Sequence, residues 1–157
     1  MNTKKIMILE NNIKDQKLIK QQLLQYCSNC VFITAKDEVS FLQKIEWFLP
    51  DIIISELRLD HEYSGLEALS IVRQKELFIP FIFISNFLEA KNECLSQCSK
   101  LADGVISKNS IEELPSQLRK ILRKHESKIL KSRISFESQL NQEMQLEKEM
   151  YQRLGQR

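Results

Sequence analysis

Four short apolar runs constrain this chain more than anything else in it: Ile6-Met7-Ile8-Leu9, Ile52-Ile53-Ile54, Phe81-Ile82-Phe83-Ile84 and Val105-Ile106. Each stops at a polar residue, respectively Glu10, Ser55-Glu56, Ser85 and Ser107-Lys108. The runs are too short for helices and apolar at consecutive positions, so they predict strands covered on both faces, the habit of a parallel sheet. A fifth segment, Val31 to Ala35, is short and β-branched and predicts another strand.

Helical periodicity fills the gaps. Ile19, Leu23 and Cys27 recur every four residues on a Lys/Gln background. Val39, Leu42, Ile45 and Phe48 follow three apart until Pro50. Both are the period of surface helices. Ser64-Gly65-Leu66-Glu67 has the spacing of a capping box, in which hydroxyl and carboxylate satisfy orphan amides at a helix start, and that helix is expected to run to about Leu77. Another is expected from Leu88 to Leu101, and Ser110-x-x-Glu113 is expected to cap a last one. Strand and helix in strict alternation predict an α/β fold, a doubly wound five-stranded parallel sheet with function gathered at the carboxyl ends of its strands.

Composition narrows the chemistry. The 157 residues suit one domain with a modest appendage. With 23 basic against 21 acidic residues the net charge of +2 exerts no global pull on nucleic acid or anionic lipid. No apolar run approaches ~18 residues and the start lacks a leader pattern, which points to the cytoplasm and away from the membrane. Three glycines in the whole chain leave no phosphate-cradling loop. His61 and His125 are isolated from hydrolytic patterns. Cys27, Cys30, Cys94 and Cys98 could supply four thiolates to a metal, but their segments read as helix and strand, and free, partly buried thiols are expected.

The strand-end residues Glu10-Asn11, Glu56, Ser85 and Lys108 resemble, in order and spacing, those of the receiver domain of bacterial response regulators. There an acidic pair ends the first strand, a phosphorylated aspartate the third, Ser or Thr the fourth and lysine the fifth. Pro50-Asp51-Ile52-Ile53-Ile54-Ser55 and Ser64-Gly65-Leu66-Glu67-Ala68-Leu69 resemble the approach to the acceptor and the helix beyond it, and the likeness covers about residues 4 to 124. It implies the strand order 2-1-3-4-5. The departures are chemical: Glu56 stands at the acceptor position, and the neutral Asn11 beside Glu10 leaves the pocket one anion short. In the family three carboxylates gather Mg²⁺, which requires near-ideal octahedral geometry, so no cofactor is expected and Mg²⁺ binding should be weak or absent. Glu56 reaches about 1.5 Å further than aspartate, one C–C bond, and an ion pair with Lys108 is expected, while Ser85 is expected to be structural. Asn109 follows where the family has a cis proline, so a trans peptide is expected. Val105 replaces a switching aromatic residue. Asp60 and Glu62 are candidate substitute metal ligands.

Beyond Lys124 the sequence predicts one long helix, residues 125–157. Leu118, Leu122, His125, Ile129, Arg133, Phe136, Leu140, Met144, Glu147, Tyr151 and Leu154 fall at spacings of 3 and 4, and eight of the eleven are apolar. A domain at 1–124 cannot cover a stripe that outruns it. A homodimer through Ile129, Phe136, Leu140, Met144, Tyr151 and Leu154 is therefore expected, parallel, with the seam from Phe136 onward. Seven basic residues against one acidic between Arg119 and Arg133 form a collar, but without aromatic interleaving or a DNA-binding motif nucleic acid is disfavoured and a solvated face or an acidic protein partner is preferred.

Together these features point to a pseudo-receiver: a non-enzymatic, phosphorylation-independent, dimeric protein of bacterial signal transduction with a protein signalling partner. The alternative is a phosphorylatable two-component switch controlling an output partner or a further output domain. A nucleic-acid-binding module comes third.

Overall fold

A computed structural model describes residues 3–59, 63–75, 77–86 and 98–154. Its elements are β1 (Lys4–Leu9), α1 (Ile13–Tyr26), β2 (Cys30–Ala35), α2 (Glu38–Phe48), β3 (Ile52–Glu56), α3 (Gly65–Gln74), β4 (Phe81–Ser85), β5 (Gly104–Ser107) and a 3-10 helix (Lys108–Glu113) that leads into α4 (Leu114–Leu154). The strands form one five-stranded sheet in the order β2-β1-β3-β4-β5, all pairs parallel. This is the doubly wound arrangement that the apolar runs predict. Of the helix expected from Leu88, only residues 98–101 lie among those described, and they are helical.

Consecutive strand residues alternate between two cores, which is why the runs are apolar without interruption. Ile6, Ile8, Ile52, Ile54, Ile82, Ile84 and Ile106 pack with Ile19 and Leu23 of α1 and Leu114 and Leu118 of α4. Met7, Leu9, Ile53, Phe81 and Phe83 face the other way, onto Phe41 and Ile45 of α2 and Ala68, Leu69 and Val72 of α3.

Local chemistry sets the helix ends. The Asn12 side chain caps α1 by accepting from the Lys14 and Asp15 amides. Asp37 caps α2 in a capping box closed by Ser40, a start the sequence reading did not mark. Ser64 and Glu67 form the predicted box at α3, whose last turn ends at Gln74 rather than Leu77. The expected box at Ser110 and Glu113 marks no helix start, because both residues lie inside the 3-10 helix, where Ser110 departs from helical geometry (φ −122°, ψ 41°). Ser107 caps the 3-10 helix instead, accepting from the Asn109 amide, and α4 starts one turn later with Pro115 in its first turn, where a missing N–H leaves nothing unsatisfied.

The chain divides into two compact units, Met1–Leu122 and Arg123–Arg157. In the second, every residue from Leu130 to Leu154 is exposed. No helix among the described residues is long and apolar enough to cross a membrane.

Candidate functional site

The ends of β1, β3 and β5 converge on one ammonium group. Lys108 opens the 3-10 helix directly after β5, one residue past the strand on which the sequence reading placed it, and its long side chain reaches back across the sheet. Nζ lies 2.5 Å from Glu56 Oε2, 2.7 Å from Glu10 Oε2 and 2.7 Å from Asp15 Oδ2. An ammonium has three N–H donors, and here each has a carboxylate. The Lys108, Glu10 and Glu56 side chains are 11%, 1% and 7% exposed.

The remaining oxygens of the two buried carboxylates, Glu10 and Glu56, are held as well. Glu10 Oε1 accepts from the Asn12 amide at 2.9 Å. Glu56 Oε1 accepts from the Leu57 amide at 2.7 Å and the Arg58 amide at 3.4 Å. Three anions around one cation leave the cage with two net negative charges. Burial works against the charged lysine, but the hydrogen bonds to Asp15, Glu10 and Glu56 outweigh it and hold its pKa above the ordinary lysine value. By linkage, a raised lysine contributes stability that is full below its unfolded pKa and lost only as pH climbs through the folded one, so the ammonium persists throughout the neutral range.

Asp15 is the member that the sequence reading missed. It sits in the first turn of α1, three residues after the cap Asn12, where side chains lean back toward the helix N-terminus and so toward the end of β1. An acid in the turn after an acidic strand end was the available signal. On its outer side a cavity of about 140 Å³ is lined by Asp15, Leu18, Ile19, Asn86, Lys108 and Ile111.

The other sequence candidates lie around the cage. The Asn11 side-chain amide donates to the Leu59 carbonyl, tying the first loop to the β3–α3 connection. Ser85 ends β4 fully buried, its backbone in register with Ser107. Val105 is partly buried behind it, packed with the α2–α3 core, and no described peptide bond is cis, that of Asn109 included. Asp60 and Glu62 lie outside the described residues, as does Cys94. Cys27, Cys30 and Cys98 are reduced cysteines outside any disulfide, and Cys30 is pushed up to about 12 by burial, then by a hydrogen bond and charge from Cys27. Gly65 is required where it stands: a Cβ would lie 2.3 Å from the Glu56 carbonyl oxygen and 2.7 Å from Phe83 Cε1 and Ser55 Oγ.

This donor set does not fit an octahedral Mg²⁺. The carboxylates that would ligate it surround an ammonium at hydrogen-bond distance, and the neighbouring Asn11 is neutral and engaged with Leu59. Among the described residues no group of three or more His, Cys, Asp or Glu side chains is arranged to hold a metal ion.

No protein-family model and no curated protein matches the chain. Solved structures do, and the fold they share is that of the response regulator receiver domain. The N-terminal domain of a response regulator/sensory box/GGDEF three-domain protein from Carboxydothermus hydrogenoformans matches with a TM-score of 0.66 at 22% identity, over 80% of this chain and 99% of that one. The response regulator domain of Thermotoga maritima CheB gives 0.66 at 16% identity, over 80% and 98%. The phosphorylated cyanobacterial phytochrome response regulator RcpA gives 0.62 at 20%, over 74% and 91%. At such identities the likeness establishes the receiver fold, with strand order 2-1-3-4-5 and a long C-terminal helix added to it.

Proposed function

We propose that the chain is a pseudo-receiver of bacterial signal transduction, which acts through protein–protein contact in the cytoplasm, without enzymatic activity and independently of phosphorylation. Its working division is a receiver-like domain, 1–124, and a helical extension, 125–157, that pairs with a second copy through Ile129, Phe136, Leu140, Met144, Tyr151 and Leu154. One observation carries the reading: all three donors of Lys108 are taken by Glu10, Asp15 and Glu56. A phosphoacceptor needs a free carboxylate oxygen and a cation to screen the incoming phosphoryl group. Both oxygens of Glu56 are engaged, and a phosphoryl dianion would enter a site that already carries two net negative charges. Opposite unit charges 4 Å apart attract by about 4 kcal/mol at an effective dielectric near 20, before desolvation, so the cage resists opening.

The test is to incubate the full chain with Mg²⁺ and acetyl phosphate or phosphoramidate and to weigh it intact, with melting followed in Mg²⁺. We expect no gain in mass and no stabilisation by the metal. A stoichiometric gain of one phosphoryl group that disappears in Glu56→Gln would instead establish a working phosphotransfer switch. The basic collar from Arg119 to Arg133 is assigned to solvent or an acidic protein surface. Tight, strongly salt-dependent binding to random DNA would reassign it.

A further inference from the structure

The exposed stripe of the second unit is symmetric about one residue. Ile129, Arg133, Phe136, Leu140, Met144, Glu147 and Tyr151 succeed one another at spacings of 4-3-4-4-3-4, a series that reads identically in both directions from Leu140. At about 100° per residue, all seven lie within about 40° of the direction of Leu140. The symmetry extends to chemistry. Ile129 mirrors Tyr151 and Phe136 mirrors Met144, all apolar. The two interruptions, Arg133 and Glu147, mirror each other and carry opposite charge. Phe136, Leu140, Met144 and Tyr151 are 65%, 45%, 49% and 63% exposed, so the chain itself does not cover this face.

We propose that the stripe is a self-complementary docking surface for a second copy of the chain laid antiparallel, with the two-fold axis at Leu140. The proposal rests on the reading above that the extension dimerises; it replaces the parallel orientation expected from the stripe alone with an antiparallel one, and it fixes the register. Leu140 then meets the partner's Leu140, Ile129 meets the partner's Tyr151, Phe136 meets the partner's Met144 and each Arg133 faces the partner's Glu147, while Leu154, at the end of the stripe, falls opposite the partner's Glu126. A parallel pair in register does the opposite, stacking Arg133 on Arg133 and Glu147 on Glu147, and like charges facing each other are destabilising. The wider charge pattern agrees. From Arg119 to Arg133 there are seven basic residues and one acidic, whereas from Glu137 to Glu149 there are four acidic residues and one basic, Lys148. Antiparallel pairing sets the basic half of each helix toward the acidic half of the other. The 4-3-4 spacing repeats every 11 residues, slightly above the period of a straight helix, so two such helices can stay in contact along the stripe with a shallow right-handed supercoil. An interface of this isologous kind closes on itself and stops at two copies.

Full-length Leu140→Cys and Tyr151→Cys variants, oxidised by copper-phenanthroline and run without reductant beside the unaltered chain, read the orientation. Light scattering on the same samples reads the mass. In the proposed register Leu140→Cys links to itself, while two copies of position 151 are about 33 Å apart along the axis, so Tyr151→Cys forms no covalent dimer beyond the unaltered chain's background. A non-covalent dimer in which Tyr151→Cys links as readily as Leu140→Cys overturns the antiparallel register and leaves the dimer reading intact. A dimer in which neither links places the seam elsewhere and overturns the proposal too. A monomeric unaltered chain removes the dimer reading itself. Charge reversal supplies a second measurement: Glu147→Arg weakens dimerisation by about tenfold and Arg133→Glu/Glu147→Arg restores it. In a parallel pair both variants only exchange one repulsion for another, and unchanged affinity in both overturns the proposal.

Discussion

One side chain, Lys108, holds three elements at the strand ends, because its donors go to Glu10 after β1, to Asp15 on α1 and to Glu56 on β3. The energetic weight of such a group lies in what its loss exposes. Removing one partner from a buried ionic cluster leaves uncompensated charge and commonly costs about 3–5 kcal/mol, less where water enters. Lys108→Met should therefore lower the melting temperature sharply, since the anions it leaves behind repel each other. Adding Glu56→Leu removes one of those anions, and the double variant should melt above Lys108→Met. Equal melting of the two, by calorimetry, would mean that the two side chains do not couple. The residue types at this site were legible from their place at strand ends, and a Glu56–Lys108 pairing followed from the extra methylene. Asp15 was not, because nothing in a linear pattern says which face of a helix's first turn looks back at the sheet.

Close approach decides the helix ends as much as propensity does. The start of α3 lies so near β3 that Gly65 has no room for a methyl group, the obstruction being the backbone carbonyl of Glu56 itself. Gly65→Ala should destabilise the fold by about 1–3 kcal/mol, the usual cost of forcing atoms into a filled site, measurable as a shift of the denaturation midpoint at constant slope. At α2 the relevant chemistry is a proton. Hydrogen bonds from the Ser40 side chain and then its amide hold the Asp37 carboxyl below the ordinary aspartate value. A depressed acid contributes stability that is present above its unfolded pKa and lost as pH falls through the folded one. Asp37→Asn keeps a capping side chain without that proton linkage. Wild type should therefore lead the variant at neutral pH, and the gap should close as the pH drops below about 4, followed by melting across a pH series.

For the whole molecule, the contrast is between a first unit whose central strands β1, β3 and β4 bury their apolar runs completely and a second whose apolar stripe stays in solvent. Each apolar side chain removed from water contributes about 1.5–3 kcal/mol, and most of a helix's stability comes from packing its amphipathic face rather than from propensity. Helicity and association of the extension should thus appear together. Truncation after Lys124 is expected to leave a folded monomer where the full chain is a dimer, and Phe136→Glu/Leu140→Glu to give a monomer as well, by light scattering at micromolar concentration. A truncated chain that still dimerises would move the interface onto the first unit.

What the sequence determined by itself was what depends on burial periodicity and, at the start of α3, on local hydrogen bonding. Strands apolar at every position must lie in a sheet covered on both sides, Ser64 and Glu67 must start a helix, and Pro50 must end one. It also carried the order of the strand-end residues, since in a parallel α/β sheet every strand delivers its last residue to the same edge. Tertiary structure decided what depends on distances between residues far apart in the chain. It turned Ser110–Glu113 from a predicted cap into the end of a 3-10 helix, with Ser107 capping instead. It drew Asp15 to Lys108 across 93 positions, and turned Asn11 away from the cage to the Leu59 carbonyl. Local propensities are short-ranged and can be read along a chain, whereas a charge finds its partner only after the sheet has set which ends are neighbours.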